Sequence, residues 1–188
     1  MLIISLVILC LIIIYGWYVS IISKQNKAKE ALSGIDVQLK QRANIIPNIL
    51  TIAKKFMEHE KSLLAEITQL RTDALRDYDS ADKNALKEHF SVEDQLSGKM
   101  GQLMINMEAY PELKSDQTML QAQRTYNEIE AKIAAARRFY NSSVTALNNS
   151  VQIFPGNLIA SMIGATVMPF YEADEQSTAP INASEVFK

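Results

Sequence analysis

Hydrophobic residues follow two different patterns along the chain, and the change falls near residue 23. Residues 2–22 are mostly apolar and carry no charged side chain, whereas apolar residues further along recur every three or four positions. A helix rises about 1.5 Å per residue, so the first stretch would be about 31 Å long, close to the roughly 30 Å thickness of a hydrocarbon core. We therefore predict a transmembrane helix over residues 1–23 and amphipathic helices after it.

The residues that flank the apolar stretch predict how it is oriented. Aromatic residues occupy its end, and three lysines follow: Lys24, Lys27 and Lys29. This order is typical of an aromatic belt at the membrane surface followed by cationic residues in water. The positive-inside rule then places the lysines and the following domain in the cytoplasm, with the amino terminus outside.

The three-four spacing predicts three long helices in the remainder of the chain. Their apolar faces extend over residues 32–74, 86–109 and 119–151. Long helices with one apolar face are stable when these faces pack together, which favours an elongated antiparallel bundle. We predict an all-α fold, with a bundle domain over residues 24–171 and a polar, flexible tail over residues 172–188.

Pro47 lies within the first of these helices. Proline removes an amide donor and its ring clashes with the carbonyl four residues earlier, so it usually bends or breaks a helix. The apolar spacing continues on both sides of Pro47, which favours one long helix with a local bend. Two collinear helices joined there are the alternative, and they would make a four-helix bundle. We expect Asn44 or Asn48 to satisfy backbone groups near the carbonyl that proline leaves free at Ala43.

Two aromatic-proline pairs mark expected helix ends. Tyr110 precedes Pro111, and Phe154 precedes Pro155. The residue before a proline is disfavoured in the helical conformation, so a helix tends to stop there. The simplest interpretation is that both aromatic rings pack on an end of the bundle. The alternative is that these corners dock a partner, because loops often carry binding sites.

The composition argues against several classes of function. The formal net charge is −2, so no positive field would attract nucleic acid. One cysteine and two histidines supply few ligands for a typical zinc site. His59 and Glu60 begin like a zinc-protease motif, but Leu63 stands where the second histidine would bind. We predict no metal and no cofactor.

Polar residues on the first and third helices are candidates for one network. They are Lys40, Arg42, Asn48, Glu130, Arg137, Arg138 and Asn141. Glu130, Arg137 and Asn141 share a face of the third helix, so Glu130 would pair with Arg42 or with Arg137. The main interpretation is a partly buried network that fixes helix register, and the alternative is an anion or ligand site between helices. Because no nucleophile is paired with a base, we predict no enzymatic activity.

The sequence resembles the LemA family of bacterial membrane proteins in segments that occur in the family's order. They are SGIDVQLKQRANIIPNIL, FMEHEKSLL, MINMEAYPELKSDQTMLQAQRTYNEIEAKIAAARRFYNSSVTALNNSVQIFPGNLIASMIG and FYEADE. The resemblance covers roughly residues 30–180. It implies an amino-terminal membrane helix and a cytoplasmic antiparallel helical domain. It implies no reaction, because the family has no established biochemical activity.

These observations together predict a non-enzymatic, membrane-tethered interaction module. We expect a single-pass protein of the bacterial inner membrane that acts as a scaffold or adaptor, in envelope maintenance or stress response. Its expected partners are the lipid bilayer, through residues 2–22, and other membrane or cytoplasmic proteins. The alternative is a sensor of small molecules or ions that uses the polar stripe inside the bundle as its receptor.

Overall fold

The structure, a computed structural model, describes residues 2–172, so the predicted flexible tail lies outside the described residues except for Glu172. Six α-helices occur in this part of the chain: α1 Leu2–Ala53, α2 Lys61–Ala74, α3 Lys83–Asn106, α4 Pro111–Ser115, α5 Gln117–Gln152 and α6 Gly156–Ile163. Single 3₁₀ turns precede α2 and follow α3, and the described residues form no strand. The predicted all-α fold is confirmed.

Helix α1 runs without a break from the apolar stretch through Pro47 to Ala53. The backbone carbonyl of Ala43, which Pro47 leaves without its helical donor, accepts a hydrogen bond from the Arg71 side chain on α2. The expectation that Asn44 or Asn48 would satisfy this region is wrong, because both side chains lie on the exposed surface of the helix. A side chain from a neighbouring helix therefore compensates for the proline.

The chain reverses direction after Ala53 rather than at Pro47. Residues 54–60 form a turn, and α2 then runs back along α1. The prediction of one helix or two collinear helices over residues 32–74 is therefore wrong. Met57 is fully buried at the turn and packs with the core, so the apolar spacing continues through a segment that is not helical.

The central part of the molecule is an antiparallel bundle of four helices. Helix α2 pairs with α3 through an ion pair between Lys99 Nζ and Glu66 at 2.6 Å, and the part of α1 that follows its exposed apolar segment pairs with α5. Asp82 and Asp116 cap α3 and α5, because the carboxylate of each accepts a hydrogen bond at 2.8 Å from the backbone of its helix's first turn. The predicted antiparallel bundle is confirmed, with four long helices.

The apolar segment of α1, residues 2–22, extends beyond the four-helix region, and the end of α5 lies beside the last part of this segment. Leu2 to Ile14 are exposed along their length. This segment reaches a mean hydropathy of 2.7, and α1 is the single helix within residues 2–172 that is long and apolar enough to cross a membrane. The short helix α6 packs against both α1 and α5. Because α1 contains the apolar segment and also part of the bundle core, the two share one continuous helix.

The two aromatic-proline corners differ. Tyr110 packs against the core and Pro111 begins α4, which agrees with the predicted helix end. Phe154 is 73% exposed, so the expectation that its ring packs on the bundle is wrong. Pro155 leads into α6.

Gly156 lies in a tightly packed position at the same corner. A Cβ on Gly156 would collide with the backbone oxygen of Ser150 and lie 3.3 Å from the Trp17 ring. The backbone at Gly156 thus packs closely between the end of α5 and the Trp17 ring, and a residue with a side chain would not fit there without a shift.

Helix α6 ends at Gly164, and the chain then turns back along α5. Gly164 has a φ of +69°, a left-handed conformation that glycine adopts without steric cost. The amide of Ala165 donates to the carbonyl of Ala160 at 2.9 Å and closes the last turn. Residues 165–172 follow as an irregular segment that reaches the polar residues of the bundle.

Candidate functional site

Arg42 lies at the centre of the bundle and is fully buried. Its Nη1 donates to Glu130 Oε1 at 3.0 Å, and its Nη2 donates to the backbone carbonyl of Glu93 at 2.9 Å. The same Nη2 forms an ion pair with the Glu93 carboxylate. One guanidinium group from α1 therefore joins α3 and α5 through charge-assisted hydrogen bonds, which are among the stronger hydrogen bonds in proteins.

The electrostatics of this centre keep the arginine charged. Burial by itself lowers the pKa of Arg42, but the charges of Glu93 and Glu130 outweigh burial and raise it. Burial raises the pKa of Glu93, and Arg42 offsets part of that change. Burial, and then the neighbouring Glu130, raise the pKa of Tyr126. One arginine with two nearby carboxylates is a structural arrangement, because the arginine has no exposed surface with which to meet a ligand.

A second group of polar residues surrounds Arg137. Its Nη2 lies 2.8 Å from Asp94 Oδ1 and donates to the Tyr171 hydroxyl oxygen at 2.7 Å. The guanidinium carbon also lies 4.0 Å from the centre of the Tyr171 ring, a cation–π contact. Burial raises the pKa of Asp94, and Arg137 partly offsets this effect. The residue that completes the group, Tyr171, comes from the segment after α6.

Asparagine side chains hold that segment on α5. The Asn141 amide donates to the carbonyl of Tyr171 at 2.9 Å and accepts from its N–H at 2.8 Å. Asn148 makes the same pair of bonds with Met168, both at 2.9 Å. Seven helical residues rise about 10.5 Å, which matches the roughly 10 Å covered by three residues of extended chain. The spacing of the two asparagines therefore fits the chain that they bind.

The outer edge of the polar centre opens into a cleft of about 310 Å³. Tyr78 donates from its hydroxyl to the Asp36 carboxylate at 3.0 Å, and its ring stacks on His89 with 4.1 Å between ring centres. His89 Nε2 lies 4.0 Å from both Asp36 Oδ1 and Glu93 Oε1. Burial, and then the positive charge of Arg42, lower the pKa of His89, which favours the neutral ring.

The structure divides the predicted network into two groups and leaves part of it outside. Arg42 and Glu130 form one pair, while Arg137 and Asn141 meet at Tyr171. Asn48 and Arg138 lie on exposed surfaces away from these contacts. Lys40 is also exposed, and it lines the cleft beside His89.

Sequence reasoning missed several residues of the site on α3. Glu93 stands seven residues after Leu86 and seven before Met100, so it lies on the apolar face of its helix. A charged residue on the apolar face of a helix indicates a buried partner of opposite charge, so the sequence could have predicted the role of Glu93. Asp94 follows it directly and meets Arg137. The contribution of Tyr171 could not be found this way, because no periodic pattern places an irregular segment.

His59 and Glu60, which begin like a zinc-protease motif, lie at the end of the bundle where α1 turns into α2. His59 is exposed in the turn before α2, and Glu60 accepts a hydrogen bond from Asn106 at 3.0 Å. Among residues 2–172, no group of three histidine, cysteine, aspartate or glutamate side chains is placed to hold a metal ion.

Comparisons with known proteins agree with the resemblance seen in the sequence. The model of the LemA family matches residues 31–184. The protein named LemA from Metamycoplasma hominis is 27% identical over 162 residues, which cover 86% of this chain and 72% of the relative. The magnetosome protein MamQ 2 from Paramagnetospirillum magneticum is 21% identical over 194 residues, covering 93% of this chain and 70% of the relative. MamQ from Magnetospirillum gryphiswaldense is 20% identical over 191 residues, covering 91% and 70%.

Proposed function

The chain belongs to the LemA family, and we propose that it is a membrane-tethered, non-enzymatic module that holds other proteins at the inner face of the bacterial inner membrane. The observation that carries this proposal is the continuity of α1. One helix begins as an exposed apolar segment and ends inside the core of the bundle. No linker separates the two parts, so the bundle and the anchor form one rigid element.

The length of α1 sets how far the bundle extends from the membrane. From Trp17, in the aromatic belt, to Ala53 at the turn, the helix rises about 54 Å. A rigid helix of this length supports a scaffold or adaptor role, because it presents the far end of the bundle at a fixed distance from the bilayer.

The buried polar centre supports a structural rather than a chemical role for the bundle. Arg42 is enclosed by Glu93 and Glu130 on neighbouring helices, an arrangement that sets which helices meet and in which register. Within residues 2–172, the serine and threonine hydroxyls that donate hydrogen bonds donate them to backbone carbonyls, as Thr51, Thr68 and Ser143 do, and not to a base that would activate them as nucleophiles.

We place the bundle in the cytoplasm and the amino-terminal end outside, with one membrane crossing. The support comes from three lysines that follow the apolar segment: Lys24, Lys27 and Lys29. A reporter fused after Lys188 tests this orientation. A cytoplasmic reporter should be active, and activity from a reporter that works only outside the cytoplasm would contradict the orientation.

Site-specific photo-crosslinking in living cells tests the scaffold role. The crosslinking residue would replace exposed side chains on different helices, one at a time: Val37 on α1, Ile105 on α3 and Asn127 on α5. We expect at least one face to give a discrete adduct with a second protein. Adducts between copies of this chain alone, or no adduct at any position, would count against a scaffold.

A complementation experiment tests whether membrane attachment is what the role requires. We place this role in envelope maintenance or stress response. In a deletion strain with an envelope-stress phenotype, a variant with residues 2–16 replaced by an unrelated membrane span should restore growth. The variant that lacks this segment should not. Full rescue by the untethered variant would contradict the proposal.

The cleft beside His89 supports a second candidate function, a sensor of small cations or amines. Arg42 is already enclosed by carboxylates, so an anion gains no free positive charge there. The cleft exposes Asp36, with Tyr78 and His89 beside it. Its lining also includes Asp77 and Glu93 and two basic residues, Lys40 and Arg76, so a bound cation or amine would have to contact the carboxylates. A thermal-shift panel of metabolites and inorganic ions tests this idea. A saturable rise in melting temperature that Asp36→Asn abolishes would favour the sensor, and no shift from any compound would exclude the tested classes.

A further inference from the structure

We propose that the corner between α5 and α6, together with the outer face of α6, inserts into the lipid bilayer beside the α1 anchor. The inserted surface would sit at the boundary between headgroups and acyl chains. This inference rests on the proposed membrane tether, and it adds a second lipid-binding element that lies far from the anchor in sequence.

The surface in question is apolar and exposed. Its four large side chains have high exposed fractions: Ile153 59%, Phe154 73%, Leu158 57% and Met162 83%. Leu158 and Met162 are four residues apart and so share one face of α6. The opposite face, with Ile159 and Ala160, is buried. A surface helix normally turns charged and polar residues outward. Helix α6 instead exposes two large apolar residues, and the polar residues beside them, Asn157 and Ser161, are uncharged.

Packing against α1 fixes the depth of this surface. Ile21 is fully buried in a cluster with Ile159 and Ala160, and Trp17 packs against the same cluster. Trp17 belongs to the aromatic belt, the part of a membrane helix that lies at the lipid–water boundary. Helix α6 therefore lies beside α1 at the level of this boundary.

The length of the exposed part of α1 indicates the same depth for α6 in the bilayer. The stretch of α1 before Trp17, residues 2–16, is exposed on all sides and rises about 22 Å. A hydrocarbon core is about 30 Å thick. A bilayer of that thickness would extend some five residues further along α1, to the level of Ile21, where α6 is packed. The apolar face of α6 would then meet lipid. This contact would reduce the mismatch between the length of the exposed part of α1 and the thickness of the hydrocarbon core.

The distribution of charge favours lipid over water and over a protein partner. No Asp, Glu, Lys, Arg or His occurs between Arg138 and Glu172, and the first charged residue of α1 is Lys24. Because α1 and α5 are antiparallel, both helices are uncharged on the side of the molecule where α6 lies. An uncharged apolar layer that continues directly from a membrane anchor is typical of the membrane interface.

Fluorescence quenching in lipid vesicles tests the insertion. The full chain would carry Cys10→Ala and one new cysteine, labelled with an environment-sensitive fluorophore and reconstituted in phosphatidylcholine–phosphatidylglycerol vesicles. The test positions are Leu158→Cys and Met162→Cys. Ile105→Cys is the matched control, because Ile105 is an apolar residue at the opposite end of the bundle and its exposed fraction, 73%, lies between those of Leu158 and Met162. Ile8→Cys, within the anchor, reports whether the span itself is in the bilayer.

We expect nitroxide-bearing lipids to quench the labels at 158 and 162 several-fold more than the label at 105. Aqueous iodide should show the reverse order. Labels at 158 and 162 that iodide quenches as strongly as the label at 105 would overturn the insertion. Protection from both quenchers would also overturn it, because protein would then cover the face. If the label at 8 responds to lipid and these two do not, only the insertion fails; if none responds, the membrane tether fails as well.

Discussion

The Nε of Arg71 on α2 donates a hydrogen bond to the backbone carbonyl of Ala43 on α1 at 2.6 Å. This carbonyl would normally accept the amide of residue 47, but Pro47 has no amide hydrogen. A side chain from the returning helix thus replaces the missing backbone donor. Because the donor comes from α2, this bond couples the alignment of α1 and α2 to the position of the proline.

A double-mutant cycle should reveal this dependence. Arg71→Ala should lower the free energy of unfolding by about 1–2 kcal/mol, because it leaves a partly buried carbonyl unpaired. With Pro47→Ala also present, residue 47 regains an amide donor, so Arg71→Ala should cost about 1 kcal/mol less. Pro47→Ala alone should preserve helix content. Chemical denaturation of the full chain in detergent, followed by circular dichroism, measures all three quantities.

The control for this cycle is Arg138→Ala, which removes an exposed arginine on α5. A surface substitution of this kind should change stability by no more than about 0.5 kcal/mol, with either residue at position 47. If Arg71→Ala costs the same with proline and with alanine at position 47, the hydrogen bond to Ala43 does not compensate for the proline.

Removing a carboxylate from the buried centre should be much more costly. Glu93→Ala leaves the fully buried Arg42 with one carboxylate partner instead of two, and a loss of about 3–5 kcal/mol is expected for a broken buried pair. Glu130→Ala should cost less, because the Glu130 side chain is 28% exposed and water can replace part of the interaction. Equilibrium denaturation compares the two variants with Glu128→Ala, a control that removes an exposed carboxylate from α5, the helix that carries Glu130. A loss below 1 kcal/mol for Glu93→Ala would contradict this description of the centre.

The fold could be predicted from the sequence wherever helical periodicity and stop signals agreed. The Tyr110–Pro111 pair marked the helix boundary before α4 correctly. The turn after Ala53 was missed because the segment contains no glycine or proline and because Met57 continues the apolar spacing into the turn. Local pattern cannot distinguish a buried methionine on a helix from one at the end of a hairpin.

The site could be predicted in part, for a related reason. Arg42 and Glu130 were identified because each lies beside an apolar face, which limits where its charge can be paired. Tyr171 was missed because it reaches Arg137 through a segment without periodicity. Arg71 was missed because its partner is a backbone carbonyl, and the sequence shows only that Pro47 leaves such a group free.

The protonation of His89 should make stability depend on pH. Because burial, and then Arg42, lower its pKa in the folded state, the unfolded chain binds more protons as pH falls below about 6.5, and the folded state loses stability. The raised pKa values of Asp36 and Glu93 act in the opposite sense, since these carboxyls hold protons in the folded state, but they are common to the wild type and to His89→Gln. The wild type should therefore lose stability relative to His89→Gln between about pH 7.5 and 5.5.

Urea denaturation across this range measures the difference, and His59→Gln is the control, because His59 is exposed in the turn before α2. If wild type and His89→Gln respond to pH identically, the ring of His89 is not held neutral by its surroundings.

The two asparagines on α5 should control the order of the segment after α6. Asn141→Ala removes the acceptor of the Tyr171 amide, and Asn148→Ala removes that of the Met168 amide. A lost hydrogen bond of about 1 kcal/mol should speed exchange of the affected amide hydrogen by about five- to tenfold, and the effect should be larger at the nearer of the two amides. Hydrogen–deuterium exchange with site resolution measures this, with Asn149→Ala as the exposed neighbour that should leave both amides unchanged. Equal exchange in all three variants would mean that the aromatic contacts of Tyr171, rather than the asparagines, hold the segment in place.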